Sequence, residues 1–396
     1  MAEKPFFVFF CVMENLDEKA CLCAMNRIFG FEPKVGLELI SNLESATALF
    51  NLDTKELDLL LGPHSKYRSR ISPDAVYKEM DELDKLKSAG INFCGWTEES
   101  YPLLLKECED PPLGLYIRST TPISELWRPQ RRIAVVGTRD ISPYGKEWCE
   151  RIVRSLAHTK DRPVIVSGLA LGTDITAHRT ALDEGLPTIG VMATGPEEVY
   201  PLRHRDFATR LVNTPGCALI SDYPPGTSPV ALNFLRRNRI IAGLSDATLL
   251  IESKIRGGGM MTSRLAYSYN RDVYALPGRA DDVCSQGCNE LISRKIAEPI
   301  ISSKHLIESL GLSSLRKTPA AGILQRIEAA YGGLLAGERM KMMTNIVRTI
   351  MTRRGITTDE LPGATGIDYR TAAELVGILE IDGFICIDLL KRCRII

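Results

Sequence analysis

IAVVGTRDISPYGKEWCERIVRSLAHTKDRPVIVSG, residues 133–168, decides the fold of this 396-residue chain. It opens on IAVVG (133–137), a short apolar run rich in β-branched residues and closed by glycine. YGKEWCERIVRSLAHT follows, with apolar residues at helical spacing, and VIVSG (164–168) then repeats the strand-and-glycine pattern. Strand, amphipathic helix, strand is a βαβ unit, and the connection is long enough to make the two strands parallel. TIGVMATG (188–195), CALISDY (217–223), ATLLIES (247–253) and VYALPG (273–278) extend the series, with amphipathic segments such as RDFATRLVN between them. Near-continuous apolar strands alternating with helices predict a parallel sheet covered on both faces. The fold class is α/β: a Rossmann-like, doubly wound, mostly parallel sheet, flanked by a small all-α N-terminal domain and a C-terminal winged-helix-like domain.

Working outward from that sheet, residues 1–95 read as the all-α domain. ENLDEKACLCAMNRIFG, PKVGLELISNL, TKELDLLLG and Asp74–Ser88 are its helices, punctuated by Gly and Pro. The opening PFFVFFCVM (Pro5–Met13) is too short for a membrane span and has no small-residue cleavage site, so it reads as a buried segment rather than a signal peptide. A bridge, Trp96–Ser119, leads into the sheet, so the second domain runs over 96–312. Residues 313–338 read as a linker. Residues 339–396 carry a helix (Glu338–Arg354), a helix–turn–helix with its second helix at Tyr369–Asp382, and a short hairpin, the winged-helix pattern.

Composition is that of an ordinary globular protein, with no apolar run of membrane-spanning length, and a cytoplasmic location is expected. Eleven scattered cysteines without zinc-ribbon spacing read as reduced thiols, and no metal or cofactor is expected. Zero net charge conceals an asymmetry: residues 1–100 hold 11 Lys/Arg and 17 Asp/Glu, leaving 38 and 32 for the rest. A polyanionic partner would meet the later part of the chain.

In an open parallel sheet, ligands bind beyond the carboxyl ends of the strands where the strand order reverses. Those ends carry Gly137-Thr138-Arg139, Gly168–Asp174, Gly195 with Tyr200–Arg205, and Ile255–Gly259 leading into a helix near Met260. Glycines there let an anion approach the backbone, and helix N-termini offer free N–H groups. With arginines on three of these loops, the pattern reads as a phosphate-binding rim. Neither G-x-G-x-x-G nor G-x-x-x-x-G-K-[ST] is present. Asp174 and His178 share a helix face at i, i+4, but no nucleophile accompanies them and a loop-bracing role is expected.

LNFLRRNRIIAG (232–243) is the chain's charge anomaly. On a helix, Phe234, Asn238, Ile241, Ala242 and Ser245 share one side, so Asn238 is expected inside with hydrogen-bond partners. Arg236 and Arg239 share another side with Gly243, which leaves room for a ligand beside them, and Arg239 is the stronger candidate. Arg237 falls between the two sides.

IAVVGTRDISPYG, VIVSGLALGTDITAHRTAL, GVMATGPEEVYP, LISDYPPGTSP, RRNRIIAGLS, GGGMMTSRLA, VYALPG and GCNELI together resemble, in order, the DNA-processing protein A family (DprA, also called Smf). The upstream YPLLLKECEDPPLGLY resembles its lead-in, the N-terminal helices its sterile-alpha-motif-like or helix-hairpin-helix-like module, and the C-terminal unit its winged helix. The resemblance implies a non-enzymatic protein that binds single-stranded DNA without sequence preference. It implies protection of incoming DNA during natural transformation, loading of the RecA recombinase, and action as a homodimer, with Asn289–Ile301 as a dimer surface. Carried onto this chain, the DNA site comprises Gly137, Thr138, Arg139, Gly168, Arg203, Arg237, Asn238, Arg239, Gly257, Gly258 and Gly259. Three departures from the family pattern stand out: the loop Arg256–Met261, Leu235 where proline is usual, and Thr173 for isoleucine. The alternative is a Rossmann-like nucleotide-binding enzyme or sensor acting on a free nucleotide derivative. A winged-helix regulator of duplex DNA is a further alternative, although Arg370 is the one basic residue that stands out on the second helix, with Lys391, Arg392 and Arg394 at the end of the unit.

Overall fold

Ser142 and Pro143 start the helix that turns residues 133–168 into a βαβ unit. The Ser142 hydroxyl accepts from the Gly145 N–H at 3.1 Å, and Pro143 occupies the first turn, where its missing N–H costs no hydrogen bond. The resulting helix, Pro143–Ala157, buries Cys149, Ile152, Val153 and Leu156 along one stripe. The computed structural model describes residues 16–128, 130–312, 319–332, 337–353, 355–388 and 390–395. The apolar Pro5–Met13 stretch lies outside them.

Among the described residues the strands are β1 (Ile91–Gly95), β2 (Gly114–Arg118), β3 (Arg132–Val136), β4 (Val164–Ser167), β5 (Thr188–Val191), β6 (Ala218–Ser221), β7 (Ala247–Leu250), β8 (Asp272–Ala275), β9 (Glu298–Pro299), β10 (Ile385–Ile387) and β11 (Cys393–Ile395). The first nine form one sheet in the order β1-β2-β6-β5-β4-β3-β7-β8-β9. From β6 to β9 all pairings are parallel. The six expected strands are β3 to β8. The order runs outward from β3 in one direction through β4, β5 and β6, and in the other through β7, β8 and β9. Right-handed crossovers therefore place the helices of the two halves on opposite faces. Accordingly Pro143–Ala157 packs on Thr173–Asp183, and Ala231–Gly243 packs on Gly258–Ser268.

The hairpin β1–β2 corrects the expected boundary at 95. It is antiparallel, and β2 pairs antiparallel with β6 at the sheet edge. Antiparallel strands need no crossover helix, so the alternation that marks β3 to β8 in sequence is missing here. Side chains alternate across the hairpin. Cys94, Leu115 and Ile117 enter the core of the parallel sheet. Ile91, Phe93 and Tyr116 enter a second core with the N-terminal helices Glu18–Phe29, Pro33–Leu43, Ala46–Phe50, Thr54–Leu61 and Pro73–Ser88. Sharing this hairpin merges the helices and the sheet into one compact unit, Met1–Ser314.

The second unit, Leu315–Ile396, has its own core. Its helices are Pro319–Tyr331, Gly337–Thr352, Leu361–Thr365 and Tyr369–Ile381, followed by the β10–β11 hairpin. The expected linker 313–338 thus holds a helix. Ile323, Ile327 and Tyr331, at i, i+4 and i+8, are buried with Met343, Ile346 and Leu375.

At Gly114, paired with Gly95 across the hairpin, a Cβ would sit 2.0 Å from the ring of Phe93, its diagonal neighbour, so a side chain there would displace that ring. Gly114→Ala is expected to cost about 1–3 kcal/mol through overpacking, read as a lowered midpoint in urea unfolding.

Candidate nucleic-acid interface

The strand order reverses between β3 and β7, and a cavity of about 530 Å³ opens beyond their carboxyl ends. The Thr138 N–H donates to the Glu252 carbonyl at 2.7 Å, which ties the loop after β3 to the loop after β7. This approach depends on glycine: a Cβ at Gly137 would meet Thr173 Oγ1 at 2.4 Å, and one at Gly259 would come within 3.2 Å of the Gly137 Cα. The helix Gly258–Ser268 begins at the cavity with Gly257 as N-cap and no side-chain cap, so its first-turn N–H groups face the opening.

Of the candidate residues, Gly137, Thr138, Arg139, Arg237, Asn238, Gly257, Gly258 and Gly259 line the cavity. Lys254 and Arg256 line it too, directly after β7, and Tyr200, Phe234 and Leu235 form its apolar side. The signal for Lys254 and Arg256 is present in the sequence: cations on a glycine loop at a strand's carboxyl end. Arg139, Lys254 and Arg256 are exposed and have no hydrogen bond or ion pair among the described residues. The Arg139 guanidinium lies 5.0 Å from the centroid of the Phe234 ring.

Arg237 forms the floor. It is 3% exposed, and Nη1 donates to the carbonyl of Gly168 at 2.6 Å and to that of Val191. Burial pulls its guanidinium down to about 10, with Asp174 opposing the shift, so it stays cationic at neutral pH. Its Nε has no partner. Asn238, 7% exposed, lines the cavity, and no protein hydrogen bond to its amide is present among the described residues. The expected inward network for Asn238 is therefore replaced by an amide that opens on the site.

Three expected site residues lie elsewhere. Gly168 sits behind Arg237, where a Cβ would meet the guanidinium at 2.4 Å; its role is to admit that arginine. Arg203 is exposed on the short turn Leu202–His204 and does not line the cavity. Arg239 is 6% exposed and points away from the opening: Nη2 donates to Asp222 at 2.6 Å, and Nη1 donates to the Asp110 carbonyl. Gly243 leaves no room for a ligand, because a Cβ there would meet Leu105 and Cys108 at 2.7 and 2.8 Å. Arg236 donates to the carbonyls of Gly30 (3.1 Å) and Phe31, and its guanidinium lies 4.6 Å from the Phe31 ring. The helical wheel fixes the angles between these residues correctly, but segments far away in sequence cover the sides it leaves open.

The Asp174–His178 pair separates as well. An Asp174 carboxylate oxygen accepts from the Ala170 N–H at 3.3 Å, bracing the loop after β4, and burial raises its pKa despite nearby Arg237. His178 is fully buried and bonds the Thr188 hydroxyl at 2.7 Å. Among the described residues no group of three or more His, Cys, Asp or Glu side chains is placed to hold a metal, and the cysteines are free thiols. No described helix is long and apolar enough to cross a membrane.

The family described as DNA recombination-mediator protein A matches residues 92–311. Protein Smf of Synechocystis is 37% identical over 214 residues, covering 54% of this chain and 52% of that protein. The chain thus spans about half the length of that relative. DNA processing protein DprA of Bacillus subtilis is 31% identical over 251 residues, covering 61% of this chain and 82% of that protein. The X-ray structure of DNA processing protein A from Streptococcus pneumoniae superposes with a TM-score of 0.58 at 28% identity, covering 73% of this chain and 95% of that one.

Two outcomes follow from these placements. Arg239→Ala leaves Asp222 buried without its cation and is expected to cost about 3–5 kcal/mol in denaturant unfolding. Burial holds His178 at about 3, below its ordinary 6.5, so the unfolded chain binds the extra proton as pH falls. The stabilisation is complete above about pH 6.5 and is lost at up to about 1.4 kcal/mol per unit below it. His178→Gln is expected to flatten the unfolding free energy between about pH 6.5 and 5.

Proposed function

This chain belongs to the DNA recombination-mediator protein A family, and on that premise we propose that it binds single-stranded DNA without sequence preference in the cavity between β3 and β7. One observation carries the reading: a cluster of donors in this cavity lacks protein partners. Arg237 Nε is buried without one, the Asn238 amide opens on the cavity unbonded, the helix Gly258–Ser268 starts without a side-chain cap, and Arg139, Lys254 and Arg256 are unpaired among the described residues. Buried donors without acceptors are costly unless a ligand supplies the acceptor, and a phosphate supplies several. The glycines that line the same opening admit a phosphate close to the backbone. Apart from the Asn238 amide, the set is made of backbone N–H groups and cations, which meet phosphates rather than base edges and fit binding without sequence preference.

The physiological reading extends this chemistry. The chain protects single strands in the cytoplasm during DNA uptake and passes them to the RecA recombinase, acting as a homodimer through the region Asn289–Ile301. The DNA contacts are Gly137, Thr138, Arg139, Arg237, Asn238 and Gly257–Gly259, joined by Lys254 and Arg256. The C-terminal unit, read as winged-helix-like, is assigned to protein contact. Two of the basic residues at its end are already paired, Lys391 with Asp359 and Arg392 with Asp388.

The test is a competition titration of a dT oligomer against duplex DNA at two salt concentrations. The single strand is expected to bind more tightly, with affinity falling steeply in salt. The triple variant Arg139→Ala, Lys254→Ala, Arg256→Ala is expected to lose most of the affinity. Its slope of log K against log salt is expected to flatten by about 0.7 for each phosphate contact removed. Unchanged affinity in that variant, or a preference for a mononucleotide over the oligomer, would overturn the assignment.

A further inference from the structure

The mouth of the cavity is apolar as well as cationic. Tyr200, Leu202, Val230, Leu232 and Leu235 are 45, 65, 51, 55 and 44% exposed. They belong to two segments that meet where Tyr200 packs edge-on against Phe234, with centroids 5.4 Å apart. On the loop after β7 and the helix it leads into, Ile255, between the lining residues Lys254 and Arg256, and Met261, next to the lining residue Thr262, are 48 and 38% exposed. Tyr200 and Leu235 line the cavity; Leu202 follows two residues after Tyr200, and Val230, Leu232, Ile255 and Met261 each adjoin a lining residue in the chain, so exposed apolar side chains concentrate in the segments that form this opening.

Phosphate binding needs none of these side chains. A free anion, a polyphosphate or a duplex, whose base faces are stacked inside, would leave them in water. A second copy of this chain docked by the same face would set Arg139, Lys254 and Arg256 against their own counterparts, which like-charge repulsion opposes. A single strand alternates a phosphate with an unstacked, apolar base face, and that repeat matches cations set inside an apolar ring.

We propose that the rim formed by Tyr200, Leu202, Val230, Leu232 and Leu235 carries the bases of the nucleotides that flank the cavity. The chain then holds the strand by base faces outside the cavity and by phosphates inside it. This inference rests on the single-strand reading above and adds a second, uncharged determinant to it. Any base offers such a face, so the rim selects single strands over duplex without selecting sequence.

The experiment compares a dT oligomer with an oligomer of equal length whose flanking positions are abasic tetrahydrofuran units, by fluorescence anisotropy over a salt series. Both carry the same phosphates, so the salt slopes are expected to be equal. The abasic oligomer is expected to bind about ten-fold more weakly. The double variant Leu202→Ser, Leu232→Ser alters two exposed positions, and thermal melting checks that it folds. It is expected to bind the dT oligomer as weakly as the abasic one, with the slope unchanged. Equal binding of the two oligomers by the parent chain overturns the proposal. So does a folded double variant that still prefers the dT oligomer. A double variant that changes sedimentation behaviour while keeping the preference makes the rim a contact between copies instead, and also overturns it. If the parent chain binds neither oligomer, the single-strand reading itself fails, a result distinct from equal binding.

Discussion

The Arg237 guanidinium is the contact on which the site is built. It reaches from the helix Ala231–Gly243 under the sheet's carboxyl edge and bonds the carbonyls of Gly168, after β4, and Val191, the last residue of β5. Those carbonyls project past the end of strand pairing, and the arginine satisfies them while fixing the helix against two strand ends at once. The contact exists only because residue 168 has no Cβ. A buried cation held this way is not free to leave, so the floor of the cavity is positive whatever approaches it.

The other two arginines of the helix hold it from its remaining sides. Arg239 enters a buried pair with Asp222 and caps the Asp110 carbonyl of the lead-in segment. Arg236 grips the carbonyls of Gly30 and Phe31 in the N-terminal helical region. One helix thus gathers three parts of the chain, and its three cations divide into one at the floor of the site and two that position it. Asn238, between them in sequence, is left facing the opening with its amide unpaired. The cost of these buried polar groups is offset by the geometry they enforce on the loops after β3 and β7.

Those loops show the same division between rigid support and open donors. Gly137 and Gly259 come together backbone to backbone, and the Thr138 N–H donates to the Glu252 carbonyl, so the two loops brace each other. Glu252 is itself held by the Ser142 hydroxyl and backbone N–H, which keeps its negative charge out of the opening. What remains exposed is the cationic set Arg139, Lys254 and Arg256 and the apolar rim around it. Such a pre-formed surface binds without paying to order itself.

The sequence by itself determined the parallel sheet, its six strands β3 to β8, and the glycine loops at their carboxyl ends. These depend on short-range periodicity and turn chemistry, which a window of a dozen residues displays. It did not reveal β1 and β2, whose pairing involves no crossover helix, nor the buried stripe Ile323–Tyr331 within an expected linker. It also read Arg239 as facing a ligand beside Gly243, and left Arg237 between the two sides of the helix. Only the tertiary structure decided that Arg237 faces the site while Arg236 and Arg239 do not. The partners that settle it lie 69, 206 and 129 residues away, at Gly168, Gly30 and Asp110. A helical wheel fixes angles within the helix, but which side meets water is set by chain segments that the wheel does not contain.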